Sequence, residues 1–288
     1  MKLGIHAYAW CSRWSNDTLD LIDRVKGLGL DFIEIPLMAL DSFDAAAVRR
    51  RLNDAGLEAV TSTVLLEGTD ITSRDPAIRR RGVDYLKACV QAAAAIGTTQ
   101  LSGVLYSQHV KHPAVKPEEA DWNYAAEGLR EAAVFAASVG VVLGLEPVNR
   151  YESNLVNTIE QAAALKRMIG EPNIKFHLDT YHMNIEEKDF YAATLLAGED
   201  LVHYHLCEND RGIPGTGLVH WDGIFQALGE LNYDGYAALE SFVDMTDNMN
   251  TWVWRKLAPS GDALVKEGIA FIRDMMDRYG LSRAGAVG

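Results

Sequence analysis

The chain has 288 residues, 48% of them hydrophobic and 23% charged, with a formal net charge of -13 and a pI near 5.0. Those proportions suit a globular protein with a sizeable core, built as one large domain or two average ones. So acidic a chain repels phosphate, which argues against nucleic acid and anionic membrane as partners and leaves a neutral small molecule or a cation.

Its three cysteines, Cys11, Cys89 and Cys207, are odd in number and far apart, and make neither a disulfide framework nor a CxxC metal site. A reducing, cytoplasmic location follows as the expectation. The first residues, Met-Lys-Leu-Gly-Ile-His-Ala-Tyr, lack the apolar core of a signal peptide, and no uninterrupted apolar run is long enough to span a membrane.

Short β-rich apolar runs alternate with longer amphipathic segments from one end to the other. Strands are expected over 2–9, 32–37, 58–66, 98–106, 141–147, 174–180, 201–208 and 235–241. Helices are expected over 16–27, 44–55, 77–96, 117–138, 158–168, 186–196, 222–231 and 261–279. In the first of these, Leu19, Leu21, Ile22, Val25 and Leu28 form the apolar stripe. Gly27, Gly56, Gly97, Gly140 and Gly170 stand where left-handed C-caps belong.

Eight strand–helix units without a linker predict an α/β fold, a single (β/α)8 TIM barrel over 1–280, with a frayed tail at 281–288. A doubly wound sheet fits less well, because His-Ala-Tyr-Ala-Trp, with no Gly-rich phosphate loop, follows Gly4. The largest insertion, 242–260, carries Trp252 and Trp254.

The stretch 201–221 is the most informative. It opens as an apolar strand carrying His203 and His205 on one face, with Tyr204 and Leu206 on the other. A Gly- and Pro-rich loop with Glu208, Asp210 and Arg211 follows. Alone, this is a strand with two core histidines. The last residues of strands five to eight change that reading, for they are Glu146, Asp179, His205 and Glu240, each about one βα unit from the next.

In such a barrel the active site lies at the C-terminal ends of the strands. Three carboxylates converging there from apolar runs are costly unless paired, and a cation pairs them. Oxygen ligands with one imidazole suit Mn²⁺, Mg²⁺ or Co²⁺ better than a structural zinc. Glu208 has the opposite strand parity from His205 and is left out of the ligand set. His203, one pleat deeper, reads as a supporting or packing residue.

Glu146-Pro-Val-Asn-Arg-Tyr-Glu152, His177-Leu-Asp-Thr-Tyr-His-Met-Asn184 and Glu208-Asn-Asp-Arg-Gly-Ile-Pro-Gly-Thr-Gly217 resemble the motifs of the ketose 3-epimerases. That group comprises D-tagatose, D-psicose (D-allulose) and L-ribulose 3-epimerases, within the xylose isomerase-like barrels. The resemblance extends over essentially the whole chain, including Val219-His-Trp-Asp222, Leu239-Glu-Ser-Phe242 and Trp254-Arg255.

It implies one divalent metal per subunit, usually Mn²⁺, held by Glu146, Asp179, His205 and Glu240. Glu146 and Glu240 would also flank C3 of a free ketose as the catalytic pair, inverting it through a cis-enediolate. Inversion without redox chemistry independently needs two acid/base groups on opposite faces of one carbon. Glu152, His182 and Arg211 match residues that bind the sugar near C1 and C2. His6, Tyr8, Trp14, Leu66, Tyr106 and Trp122 fall where the family lines its pocket, and Leu66 departs from the family pattern. The family's members are dimers or tetramers.

Aldose–ketose isomerisation or polyol dehydration in the same barrel is the alternative reaction. Nucleic-acid cleavage needs additional histidines from strands three and four, and those strands end in Thr63-Val-Leu-Leu66 and Leu105-Tyr-Ser107. A non-catalytic sugar-binding barrel would have no use for two acid/base carboxylates.

Overall fold

Runs such as Phe-Ile-Glu-Ile-Pro, apolar on both faces, form stable strands only in a parallel sheet covered by helices. The computed structural model describes residues 1–110, 115–242 and 253–282 and shows that arrangement closed on itself. The strands are β1 (Lys2–His6), β2 (Phe32–Pro36), β3 (Glu58–Leu65), β4 (Gln100–Gln108), β5 (Val142–Leu145), β6 (Ile174–Asp179), β7 (Leu201–Leu206) and β8 (Tyr236–Leu239). They pair in sequence order, and β8 returns to β1 through Lys2–Tyr236 and Gly4–Ala238. The chain is a single (β/α)8 TIM barrel.

The helices are α1 (Asp20–Gly27), α2 (Ala45–Ala55), α3 (Pro76–Ile96), α4 (Glu119–Ser138), α5 (Ile159–Ile169), α6 (Thr180–Glu186), α7 (Phe190–Ala197), α8 (Trp221–Glu230) and α9 (Gly261–Arg278). Their ends follow capping chemistry. Asp75 Oδ1 accepts from Ala77 N ahead of Pro76, and Gly97 closes α3 at φ 98°. Gly56, Gly140 and Gly170 also have positive φ. Gly27 does not, because it is still within α1, Leu28 is the C-cap, and the left-handed residue is Gly29 at φ 67°.

Two local differences from expectation bear on the site. β1 stops at His6 and not at residue 9, because His6 Nδ1 accepts from Tyr8 N at 3.1 Å and turns the chain into a 3-10 turn. The short helix α6 directly follows β6, where the sequence pattern offered only a connection. Asp179 caps it, accepting from Tyr181 N at 2.7 Å. The expected helix 186–196 accordingly begins later, at Phe190, capped by Asp189.

Inside the barrel, a small apolar cluster of Phe32, Val60 and Ala238 plugs the N-terminal end. Phe32 fills the space that glycine leaves, since a Cβ on Gly4 would lie 2.5 Å from its ring. Toward the other end the interior turns polar, with Glu34, Ser62, His177 and His203 all buried. The large apolar core lies between strands and helices.

Leu281, expected to open the tail, is buried, and its carbonyl accepts from the amino terminus at 2.9 Å. Residues 283–288 and Trp252 lie outside the described residues, while Trp254 is 86% exposed. No helix among the described residues is long and apolar enough to cross a membrane.

Candidate active site

Because β5, β6, β7 and β8 are neighbours in register, their last inward residues meet at one rim. Asp179 pairs with His205, and His205 with Ala238, two residues before Glu240. His205 Nδ1 lies 3.7 Å from Glu146 Oε1, 3.8 Å from Asp179 Oδ2 and 3.4 Å from Glu240 Oε2. That nitrogen is buried and makes no hydrogen bond. Glu146, Asp179 and His205 form a buried group able to hold a metal ion.

Arg211 closes the fourth side. Its Nη1 donates to Asp179 Oδ2 at 2.7 Å and also to Glu240 Oε2, and its guanidinium lies 4.0 Å over the Tyr181 ring. The residue is 5% exposed and holds φ 67°, a conformation that side chains with a Cβ seldom adopt. Its surroundings enforce this. Arg211 N donates to Glu208 O at 2.9 Å, and Ser241 Oγ donates to Arg211 O at 2.8 Å. Glu208 itself accepts from Gly215 N, Val219 N and Trp221 Nε1, and so shapes the whole loop without facing the cavity.

Burial penalises every charge here, and the neighbours decide the outcome. It raises the Glu146 carboxyl above its ordinary range, with His205 and His182 only partly offsetting it. It would also raise Glu240 and Asp179, but Arg211 together with His205, and with His182 at Asp179, outweighs it and holds both below their usual values, Asp179 well below. For His205 burial pulls downward, and the Glu240 and Glu34 carboxylates more than reverse it. A metal takes its ligands as neutral imidazole and ionised carboxylates; in that form three carboxylates and one guanidinium carry two net negative charges, which a divalent cation matches.

The rim opens into a cavity of about 300 Å³, at the small end of ligand-pocket sizes. Glu146, Glu152, His182, His205, Arg211 and Glu240 line one part, while Tyr8, Met38, Val64, Leu66, Val148 and Phe242 make it apolar elsewhere. His6 also lines it, with Nε2 3.3 Å from Ser62 Oγ. His182 Nδ1 accepts from Asn149 N at 3.1 Å, which turns its Nε2 toward Asp179 Oδ2 at 3.6 Å. Asp179, and not His182, caps α6. Arg211 pairs across the site, and its neighbour Asp210 pairs with Arg255.

Tyr106 and Trp122 do not line the cavity. Tyr106 is fully buried, with its hydroxyl 2.9 Å from the carbonyls of Glu146 and Val156, so it braces the strand end from outside. Trp122, on α4, packs half-buried against the helix–sheet core. Trp14 is core as well.

Two residues went unnoticed in the sequence. Glu34 is fully buried on β2, its Oε2 2.8 Å from Nε2 of both His203 and His205. A lone acid in the middle of Phe-Ile-Glu-Ile-Pro was its signal. His109, just past β4, lines the cavity with Nε2 2.9 Å from Glu152 Oε2. Burial would raise Glu152, but His182, His109 and Arg211 hold it at about 2.

The sequence profile of the xylose isomerase-like TIM barrels matches residues 22–275. A ketose 3-epimerase of Arthrobacter globiformis is 37% identical over 285 residues, covering 96% of this chain and 97% of the relative. An L-ribulose 3-epimerase of Methylomonas sp. (strain DH-1) is 36% identical over 278 residues, covering 95% and 97%. The crystal structure of D-allulose 3-epimerase from Methylomonas sp. in complex with D-allulose superposes with a TM-score of 0.91 at 34% identity, covering 96% of this chain and 97% of the other.

Proposed function

This chain belongs to the ketose 3-epimerases among the xylose isomerase-like TIM barrels, and from that premise we propose that it inverts C3 of free ketoses in a metal-dependent reaction. The substrates are the D-psicose/D-fructose, D-tagatose/D-sorbose and L-ribulose/L-xylulose pairs. The observation that carries the reading is that Glu146 and Glu240 both approach His205 Nδ1, at 3.7 and 3.4 Å, and both line the cavity.

Glu146, Asp179, His205 and Glu240 would hold the cation; their oxygen-rich set suits Mn²⁺, Co²⁺ or Mg²⁺, and the family resemblance puts Mn²⁺ first. Once bound, it supplies positive charge that stabilises the negative charge developing on O2 and O3 of the sugar. One glutamate takes the C3 proton, and the C–H electron pair moves into the C2–C3 bond to give a cis-enediolate. The other glutamate returns a proton to the opposite face, C2 becomes a carbonyl again, and C3 is inverted. Which glutamate acts first follows from the configuration of the substrate.

Arg211, His182 and Glu152 hydrogen-bond the C1–C2 end of the sugar, His6 contributes beside them, and Leu66 with the apolar lining faces the rest. Tyr106 and Trp122 act behind the wall. The family resemblance implies a homodimer or homotetramer, read by sedimentation equilibrium, where a monomer at micromolar concentration would count against it.

The test is a panel of D-psicose, D-tagatose, D-fructose and L-ribulose incubated with the Mn²⁺-loaded protein in deuterated water. Epimers carrying deuterium at C3 are expected. Unchanged sugars throughout, or label at C1 or C2 with aldose formation, would overturn the assignment.

A further inference from the structure

We propose that Glu34 is a positioning residue for the metal centre, holding His205 as the tautomer whose Nδ1 lone pair faces the cation. This rests on the divalent-metal reading of the site above. The geometry starts from one oxygen. Glu34 Oε2 lies 2.8 Å from His205 Nε2 and 2.8 Å from His203 Nε2, and the carboxylate is completely buried. An ionised carboxylate only accepts, so each imidazole presents Nε2–H to it.

A neutral imidazole carries one ring proton. With that proton committed to Glu34, His205 Nδ1 is left with its lone pair, and this atom is the one facing Glu146, Asp179 and Glu240 with no hydrogen-bond partner. The opposite tautomer would place N–H among three carboxylates and two lone pairs against each other at Glu34. A carboxylate behind a ligating imidazole both orients the ring and makes it a stronger donor.

Closure of the barrel explains why β2 supplies the acid. Glu34 pairs in register with His6 on β1, and β2 stands three strands from β7 round the closed sheet, so its side chain reaches into the interior to meet the two imidazoles. His203 and His177 help fix the ring, their centroids lying 5.0 and 4.1 Å from that of His205. His203 thereby gains a role, since it shares the Glu34 oxygen and keeps it from swinging away.

The experiment is run without sugar. Mn²⁺ binding is titrated calorimetrically for the wild-type chain and for Glu34→Gln, an isosteric change, and Glu34→Ala. In parallel, the cadmium-loaded wild-type protein with nitrogen-15-labelled histidine is examined by NMR.

Expected are a loss of about 10- to 100-fold in Mn²⁺ affinity for both variants, and cadmium coupling to Nδ1 of His205 while Nε2 carries the proton. A purely structural role would lower the melting temperature and leave affinity within about twofold, which overturns the proposal. So would coupling to Nε2, a readout that needs no variant to fold. Wild-type protein that binds no divalent cation overturns both this inference and the metal reading. Protein that binds Mn²⁺ as described but turns over no ketose overturns only the epimerase reading.

Discussion

Glu146 and Glu240 both approach one imidazole nitrogen yet sit in different fields. Burial keeps the first above its ordinary pKa, and Arg211 pulls the second below. Two carboxylates pushed apart in this way can act as acid and base on one carbon. Glu146→Gln and Glu240→Gln should each lower kcat by about 10²- to 10⁴-fold, with circular dichroism unchanged. Epimerase activity within tenfold of wild type in either variant would refute the two-carboxylate scheme. Asp179 shows how one residue serves two ends, with Oδ1 capping α6 while Oδ2 faces the site.

Strand contacts at the cavity floor are tight. Gly103 on β4 holds φ 123°, and a Cβ there would come 2.2 Å from the Thr63 carbonyl on β3. Gly103→Ala should therefore destabilise the barrel by about 1–3 kcal/mol, read as a lower urea midpoint at unchanged m-value. A neutral result would mean that β3 and β4 can part without cost.

On the outside, α3 and α4 are joined by Glu131, which meets Arg80 Nη2 at 2.8 Å and Lys87 Nζ at 2.6 Å. Those two bonds hold the Glu131 carboxyl at about 2. Its folded pKa lies below its unfolded one, so the stabilisation is complete above about pH 4.5 and is lost as pH falls toward 2. NMR titration of the Glu131 carboxyl should show that midpoint, and Arg80→Ala with Lys87→Ala should return it to the ordinary range. The pair is half exposed, so the effect on global stability is small.

At the scale of the whole molecule, the proposed cation site would join four consecutive strands of a closed barrel. Ions that bind only the folded state stabilise it by mass action, by about 2.7 kcal/mol at a hundredfold excess over Kd. A chelator should abolish turnover and lower Tm, and Mn²⁺ should restore both. A Tm indifferent to Mn²⁺ would argue that no cation bridges β5 to β8.

The alternation of eight apolar runs with amphipathic segments determined the barrel, because each run needs helices on its outer face and no other closed parallel arrangement supplies them. The acids that end strands five to eight were legible for the same reason, since register carries strand ends to one rim. The resemblance added the substrate class and the roles around it.

What tertiary structure alone decided was which side chains meet across the barrel. Glu34 is separated from His205 by most of the chain and reads as an anomaly in an apolar strand, until closure through β8 and β1 brings β2 within reach of β7. His109 reaches Glu152 only through the loop beyond β4, and Tyr106 turns out to brace the wall from behind. Periodicity tells which face a residue occupies; only the closed barrel tells what stands on the other side.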